Sequence, residues 1–313
     1  MQPLKKTRPI APPLAHVCHD LDLSEAALRD VLELAAKMKR SPQKYAKAMA
    51  GRYLALLFEK PSLRTAVGFE LAIKQMGGDS VMANGTMGQR EPVKDMARIL
   101  GRWVDVMAAR VFAQSTVDEL ALYSPVPVIN ALSDLYHPCQ ALADMQTLKE
   151  RFGGWDGLKV AYLGDGNNVA NSLMITAARL GADVAIASPK GYEPQDEMVA
   201  LARRYGNVAI FYDPREAAAG ANAVYTDVWT SMGQEEEAQQ RLIAFQGYCV
   251  DDEIMALARP DAVFLHCLPA HRGDEVSDSV MESLQSAVFD QAENRLHTQK
   301  ALLLTLAGNT ANL

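Results

Sequence analysis

The sequence predicts an α/β protein made of two doubly wound parallel-sheet units linked by helices. Three observations carry that expectation. Short apolar runs alternate with stretches of helical spacing from Leu23 almost to the end of the chain. Such repeated strand–helix units form a parallel sheet covered by helices on both faces. The pair Gly153-Gly154 interrupts the series, and a second series of the same kind follows it. At 313 residues the chain is also long for one core and suits two.

Taken in order, Ser24 is placed to cap a first helix running to about Lys39. Strands are expected at Tyr53–Phe58, Asp79–Met82, Val106–Arg110 and Val126–Asn130, each a β-prone apolar run. Helices at about Thr65–Met76, Pro92–Trp103 and Ser115–Tyr123 separate them. Pro138 suits a first helical turn, so Pro138–Phe152 reads as one helix, stopped by the glycine pair. The second series places strands at Leu158–Leu163, Asp183–Ala187, Val208–Tyr212, Ala223–Thr226, Ala262–Leu265 and Ala287–Phe289. A last helix spans Gln291–Leu306, with Leu296, Ala301, Leu303 and Leu304 as its apolar positions. The expected division is residues 1–150 and 151–290, both Rossmann-like, with the last helix beyond. Ligands of such sheets bind past the carboxyl ends of the strands.

Composition narrows the class. With 49% hydrophobic and 22% charged residues the chain reads as an ordinary soluble protein. A formal charge of −7 argues against broad nucleic-acid binding. No apolar run is long enough to span a bilayer. Met1–Pro13 carries Lys5, Lys6 and Arg8 without an apolar stretch, so it reads as a loose arm rather than a secretory signal. The four cysteines, Cys18, Cys139, Cys249 and Cys267, are scattered, which suits free thiols in a reducing compartment.

The residues with chemical potential cluster after strands. Phe58-Glu-Lys-Pro-Ser-Leu-Arg-Thr-Ala66 leaves a buried strand and enters a helix. Ser62, Arg64 and Thr65 therefore sit where free N–H groups and the helix dipole favour an anion, and a guanidinium between hydroxyls suits a phosphate. An N-cap serine beside a solvated arginine is the plainer alternative. Arg110, ending four apolar residues, is placed to reach an anion or to stand at the surface. His137 and Gln140, three apart at a helix start, can face one ligand. Gly164-Asp-Gly-Asn-Asn168 resembles a dinucleotide turn, but Val169 breaks the GxGxxG spacing. Asn168 is left as a polar ligand group. Asp227 and Ser231 offer a carboxylate and a hydroxyl to an ammonium or zwitterion, or form an Asx turn. His266-Cys-Leu-Pro-Ala-His271 allows three readings: a zinc site from His266, Cys267 and His271, a Cys–His nucleophile, or a ligand-lining loop. Arg295 adds a guanidinium near the start of the last helix.

Taken together these segments resemble the aspartate/ornithine carbamoyltransferase family over nearly the whole chain, about Asp20 to Leu304. Ser-x-Arg-Thr marks the superfamily. His-Pro-Cys-Gln, Asp-Gly-Asn-Asn, Asp-x-Trp-x-Ser-Met-Gly, His-Cys-Leu-Pro-Ala-His-Arg-Gly and Glu-Asn-Arg-Leu-His-x-Gln mark the ornithine branch. The resemblance implies a first domain that binds carbamoyl phosphate and a second that binds ornithine, with the last helix crossing back to the first. It implies that Ser62, Leu63 (through its backbone), Arg64, Thr65 and Arg110 hold the phosphate. His137, Gln140, Cys267, Leu268 and Arg295 would face the carbamoyl group. Asn168, Asp227, Ser231 and Met232 would hold ornithine. It further implies a cytoplasmic arginine-biosynthetic enzyme with no metal and no cofactor, assembled as a homotrimer or a multiple of trimers, and it leaves the direction of net flux open.

Two positions depart from the family pattern Ser-Thr-Arg-Thr-Arg and its neighbourhood. Leu63 replaces a threonine and Ala66 an arginine, which points to a tuned phosphate site. Thr86 stands where a longer Gln or His reaches into a neighbouring subunit. The chemistry implied needs a neutral amine held near the carbamoyl carbon. Asp227 is expected to orient it, Cys267 to accept its proton if poised as a thiolate, and Arg110, His137 and Thr65 to stabilise the developing oxyanion. A nicotinamide-dependent dehydrogenase, a silent binding protein, and a carbamoyltransferase for acetylornithine or putrescine are the competing readings.

Overall fold

The computed structural model describes residues 16–230 and 235–308. Ser231, Met232 and the arm to Pro13 fall outside them. The first half runs α1 (Glu25–Arg40), β1 (Tyr53–Phe58), α2 (Leu63–Lys74), β2 (Asp79–Asn84), α3 (Val93–Leu100), β3 (Val106–Arg110), α4 (Gln114–Tyr123), β4 (Val128–Leu132) and α5 (Pro138–Phe152). The second runs β5 (Lys159–Leu163), α6 (Asn168–Arg179), β6 (Asp183–Ala187), α7 (Asp196–Ala202), β7 (Val208–Phe211), α8 (Pro214–Ala218), β8 (Ala223–Thr226), α9 (Ala238–Ala244), α10 (Asp252–Leu257), β9 (Val263–His266), α11 (Asp278–Met281) and α12 (Val288–Ala307). Ser24 accepts a hydrogen bond from the Ala27 N–H and so caps α1 as expected.

Every ladder is parallel, in the orders β2-β1-β3-β4 and β7-β6-β5-β8-β9. Apart from the edge strands β2 and β7, the strands are buried on both faces, and their alternation divides the core. Leu54, Leu56 and Phe58 of β1, and Val160 and Tyr162 of β5, belong to one large cluster that runs through both halves. Ala55 and Leu57 face an outer cluster under α3 and α4. Ala161 and Leu163 face another under α8 and α10. Strand order reverses between β1 and β3 in the first sheet, and between β5 and β8 in the second. A crevice opens at such points, outside the carboxyl ends of the strands.

The structure moves several expected boundaries. The expected strand Ala287–Phe289 is the entry to α12. Pairing there stops at a single bridge between Phe264 and Ser286, and the helix begins at Val288. A three-residue apolar run cannot be told from a first helical turn by periodicity. β4 starts at Val128 rather than Val126, because Pro127 has no N–H to give the ladder. α3 ends at Leu100, short of Trp103. α12 packs on α5, α1 and α2, returning the end of the chain to the first sheet's helices.

Leu303 of α12 is fully buried in the large cluster. Leu303→Ala should destabilise the protein by ~2–5 kcal/mol through lost burial and the cavity left behind. Urea unfolding of both forms measures it, and a change below the error of the midpoint would refute the packing role given to α12.

Candidate active site

A cleft of about 1000 Å³ runs between the two crevices. From the first half it is lined by Lys60 to Thr65, Arg110, Ser133 and His137. From the second it is lined by Asp165 to Asn168, Asp227, Cys267 and Leu268, with Arg295 from α12.

The first wall is cationic. Ser62 holds the N-cap position of α2 but its hydroxyl makes no capping bond. The hydroxyl and the first N–H groups of the helix are thus left to a ligand. Leu63 points to solvent at 77% exposure, so only its backbone belongs to the site. Arg64 is exposed; Arg110 and Arg295 are buried. Among the described residues none of the three guanidiniums has a carboxylate ion-pair partner, and Nε of both buried arginines lacks a hydrogen-bond acceptor. Burial and the neighbouring Arg295 push Arg110 down to about 10, so it stays cationic at neutral pH. Arg295 is also lowered by burial. Its Nη2 donates to Thr65 Oγ1 at 3.1 Å and its Nη1 to Gln140 Oε1 at 2.6 Å. Gln140 therefore stands behind Arg295 rather than in the cleft lining.

His137 caps α5 from the cleft side, its N–H donating to Ser172 Oγ at 2.8 Å. Burial, then Arg295 and Arg110, hold its imidazole well below the usual histidine range. It is neutral at pH 7 and can give one N–H to a developing oxyanion. Glu59, just past β1, accepts the N–H of Met87 at 2.8 Å and that of Phe112 at 2.6 Å. It thereby ties the ends of β1 and β3 and the loop after β2 into one rim.

The second wall is organised around Asp227, which is buried. Its Oδ2 accepts from Asn167 Nδ2 at 2.8 Å. Its Oδ1 accepts from the Val228 N–H at 2.8 Å and from Cys267 Sγ at 2.9 Å. Asn167 also caps α6 through the N–H groups of Val169 and Ala170. Asn168, the residue singled out by sequence, lines the cleft, and its Nδ2 donates to Ser133 O at 2.6 Å. Gly166 serves packing rather than a dinucleotide: a Cβ there would lie 2.1 Å from Pro194 N. Leu268 sits at φ 59, a region costly for a branched side chain, with its N–H on His266 Nδ1 at 2.8 Å.

Cys267 departs from expectation. Burial, then the Asp227 carboxylate that its S–H donates to, raise it well above the usual thiol range. It is a thiol donor and not a thiolate poised to take a proton. The zinc reading also fails on donor chemistry. His266 accepts from Leu268 at Nδ1 and meets Glu275 Oε1 at 3.2 Å through Nε2, so no ring lone pair remains for a metal. His271 is on the far side of Glu275, 58% exposed, and joins no shared site with Cys267.

Sequence reasoning did not single out Glu59, Asn167, Asp144 or Gln291. The first two carried weak signals, a charge just after a buried strand and an N-cap-type residue before a helix. The last two carried none.

A cationic wall at a helix start thus faces a carboxylate–thiol wall across one cleft, at the ends of two parallel sheets. Residues 15–150 match the family described as aspartate/ornithine carbamoyltransferase, carbamoyl-P binding domain, and residues 156–306 match its Asp/Orn binding domain. The chain belongs to the aspartate/ornithine carbamoyltransferase family, and it is a carbamoyltransferase. It is 50% identical to an ornithine carbamoyltransferase of Acidothermus cellulolyticus, over 93% of this chain and 96% of that one. It is 53% identical to one from Thermus thermophilus, over 89% and 92%. Its structure is similar to that of the ornithine carbamoyltransferase of Pyrococcus furiosus, with TM-score 0.91 and 43% identity over 95% of this chain and 99% of that one.

The raised thiol gives a signed expectation. At pH 7.5 Cys267 should alkylate with iodoacetamide at least about tenfold more slowly than free cysteine. Asp227→Asn removes the charge that opposes thiolate formation, so alkylation should accelerate. Mass-mapped rates check both, and an Asp227→Asn protein no faster than the parent would break the Asp227–Cys267 coupling.

Proposed function

We infer that the chain transfers the carbamoyl group of carbamoyl phosphate to the δ-amine of L-ornithine, giving L-citrulline and phosphate. The observation that carries this is the set of three guanidiniums without a carboxylate partner, gathered beside the start of α2 and facing the Asp227–Cys267 pair across one cleft. In this reading Ser62, the Leu63 N–H, Arg64, Thr65 and Arg110 hold the phosphate. His137, Arg295 and, behind it, Gln140 serve the carbamoyl end with Cys267 and Leu268. Asn168 and Asp227, with Ser231 and Met232, hold the amino acid.

The chemistry follows from those placements. The neutral δ-nitrogen forms a bond to the carbamoyl carbon. The carbonyl π electrons move to oxygen, where Arg110, Thr65 and the neutral His137 donate hydrogen bonds. Removing one such donor costs ~10²–10³ in rate. The tetrahedral adduct collapses by breaking the carbon–oxygen bond to phosphate, whose electrons stay with phosphate against Arg64 and the helix. The proton lost by the nitrogen leaves with phosphate or to solvent, because the Cys267 thiol already holds its own. Asp227 pairs with the α-ammonium and fixes the amino acid's direction.

The test is a citrulline-type assay with carbamoyl phosphate and four amines. Ornithine should exceed acetylornithine, putrescine and lysine by at least about tenfold in kcat/KM, since each leaves a buried polar group unpaired or misplaces the nitrogen. Equal values for acetylornithine would remove the Asp227 assignment. Equal values for putrescine would remove the amino-acid reading.

We also place the active unit in the cytoplasm as a homotrimer. Its four cysteines are free, which suits a reducing compartment. β2 is the outer strand of its sheet and is exposed along most of its length. Val81 (54%) and Met82 (45%) lie on it, and Leu63, Val67 and Leu71 form an exposed stripe on α2. An open apolar edge of this kind is a template for another chain. Thr86, in the exposed loop after β2, is too short for the reach expected of that position. Val67→Glu with Val81→Glu should convert a trimer to monomers in light scattering. A parent protein already monomeric at micromolar concentration would overturn the assembly.

A further inference from the structure

Below the arginines lies a carboxylate that the reaction itself does not use. Asp144 of α5 is fully buried. Its Oδ1 accepts from Gln140 Nε2 at 2.8 Å, Gln291 Nε2 at 2.6 Å and Tyr225 Oη at 3.4 Å, while its Oδ2 is buried without a partner. Gln291 completes the bracket by accepting the His266 N–H at 2.9 Å. One carboxylate thus joins α5, α12, β8 and the end of β9, the elements that carry Gln140, Arg295 and Cys267.

We propose that Asp144 is a positioning residue for the carbamoyl end of the site, acting through Gln140 on Arg295. An amide has one accepting end and one donating end. With its NH2 group held on the Asp144 carboxylate, Gln140 must turn its carbonyl to Arg295 Nη1. Arg295 is then fixed between Gln140 and Thr65, two residues of different helices. A charged acceptor holds that orientation more strongly than a neutral one. Buried Arg295 has no carboxylate ion-pair partner among the described residues, and Asp144, one amide away through Gln140, is a carboxylate that favours its charge. The proposal rests on the reading above, in which Arg295 serves the carbamoyl group.

The protonation state matters. Burial pushes Asp144 up to about 7, against the opposing effects of Gln291, Gln140 and Arg295. The titratable groups facing it are Arg295 of α12, Tyr225 of β8 and Cys267 after β9; the last two are themselves held neutral. Its carboxylate form is therefore present above about pH 7 and lost as the pH falls through that value.

Asp144→Asn keeps the shape and an Oδ1 acceptor, removes the charge, and puts an amide NH2 where the unpartnered Oδ2 stands. At pH 8 its kcat/KM for carbamoyl phosphate should fall about tenfold or more. As the pH drops below 7 the parent should fall toward the variant, whose profile lacks that limb. Inorganic phosphate, titrated calorimetrically, should bind the variant no more weakly than the parent, since a nearby negative charge is gone. Loss of fold would weaken both ligands. Gln291→Met, which touches no substrate, removes a bond that favours the carboxylate and should move the limb to higher pH. An unchanged carbamoyl phosphate efficiency at pH 8, or the same acid limb in Asp144→Asn, overturns the proposal. A parent protein that forms no citrulline overturns the functional reading instead.

Discussion

The site depends on positive charge gathered where water is scarce. Arg110 and Arg295 are both buried, Arg295 lowers Arg110, and Arg64 adds to the repulsion on Arg110. Burial of unpaired charge is expensive, and like charges in low dielectric raise the expense. The fold carries that cost through neutral or distant partners rather than through salt bridges. Thr65 and Gln140 accept from Arg295, the free helix start of α2 faces the same way, and Asp144 lies one amide away. A direct carboxylate on either arginine would relieve the strain and leave the site with nothing to gain from an anion. In the proposed reading a phosphate group supplies the negative charge that these guanidiniums lack.

Topology decides where this can happen. The two strand-order reversals put the ends of β1 and β3 opposite the ends of β5 and β8. Phe58 and Arg110 are register partners, so the chain after β1 begins beside the arginine that ends β3. Thr226 and Leu163 close the other sheet in the same way, with Thr226 Oγ1 on Leu163 O at 2.5 Å. α12 then crosses from the second half onto α1, α2 and α5, bringing Arg295 to the first wall. Each wall is built on rigid strand ends, and the groups that meet across the cleft come from segments far apart in sequence.

That separation explains what the sequence could and could not reveal. The strand ends at Arg110 and Thr226 and the helix start at Ser62 are local patterns, so the anion wall and Asp227 were legible from apolar runs and their polar exits. Asp144 looked like any residue of a helix pattern, because its role is set by Gln291, 147 positions away. Arg295 was visible as a cation, but its partner Thr65, 230 positions away, was not. The position of Cys267 after a strand leaves open a thiolate poised to accept a proton. The Asp227 carboxylate 40 positions earlier reverses that reading. Ala287–Phe289 failed for a different reason: three apolar residues carry too little periodicity to separate a strand from a helical turn.

The departures at Leu63 and Ala66 can be weighed on the same electrostatic scale. Leu63 is exposed, so the loss of a hydroxyl there leaves the backbone N–H and the helix start untouched. Ala66 is partly buried against the main core on α2, one turn beyond Ser62. An arginine at that position would add a further cation to a group in which Arg64 already depresses Arg110. An alanine there weakens the attraction for an anion but also lessens the repulsion among the guanidiniums. The two effects oppose each other, whereas Arg64 acts at the helix start itself, where the dipole and the free N–H groups add to its charge. In the proposed reading the alanine therefore tunes the site, and Arg64, Arg110 and the first turn of α2 are the groups assigned to the phosphate.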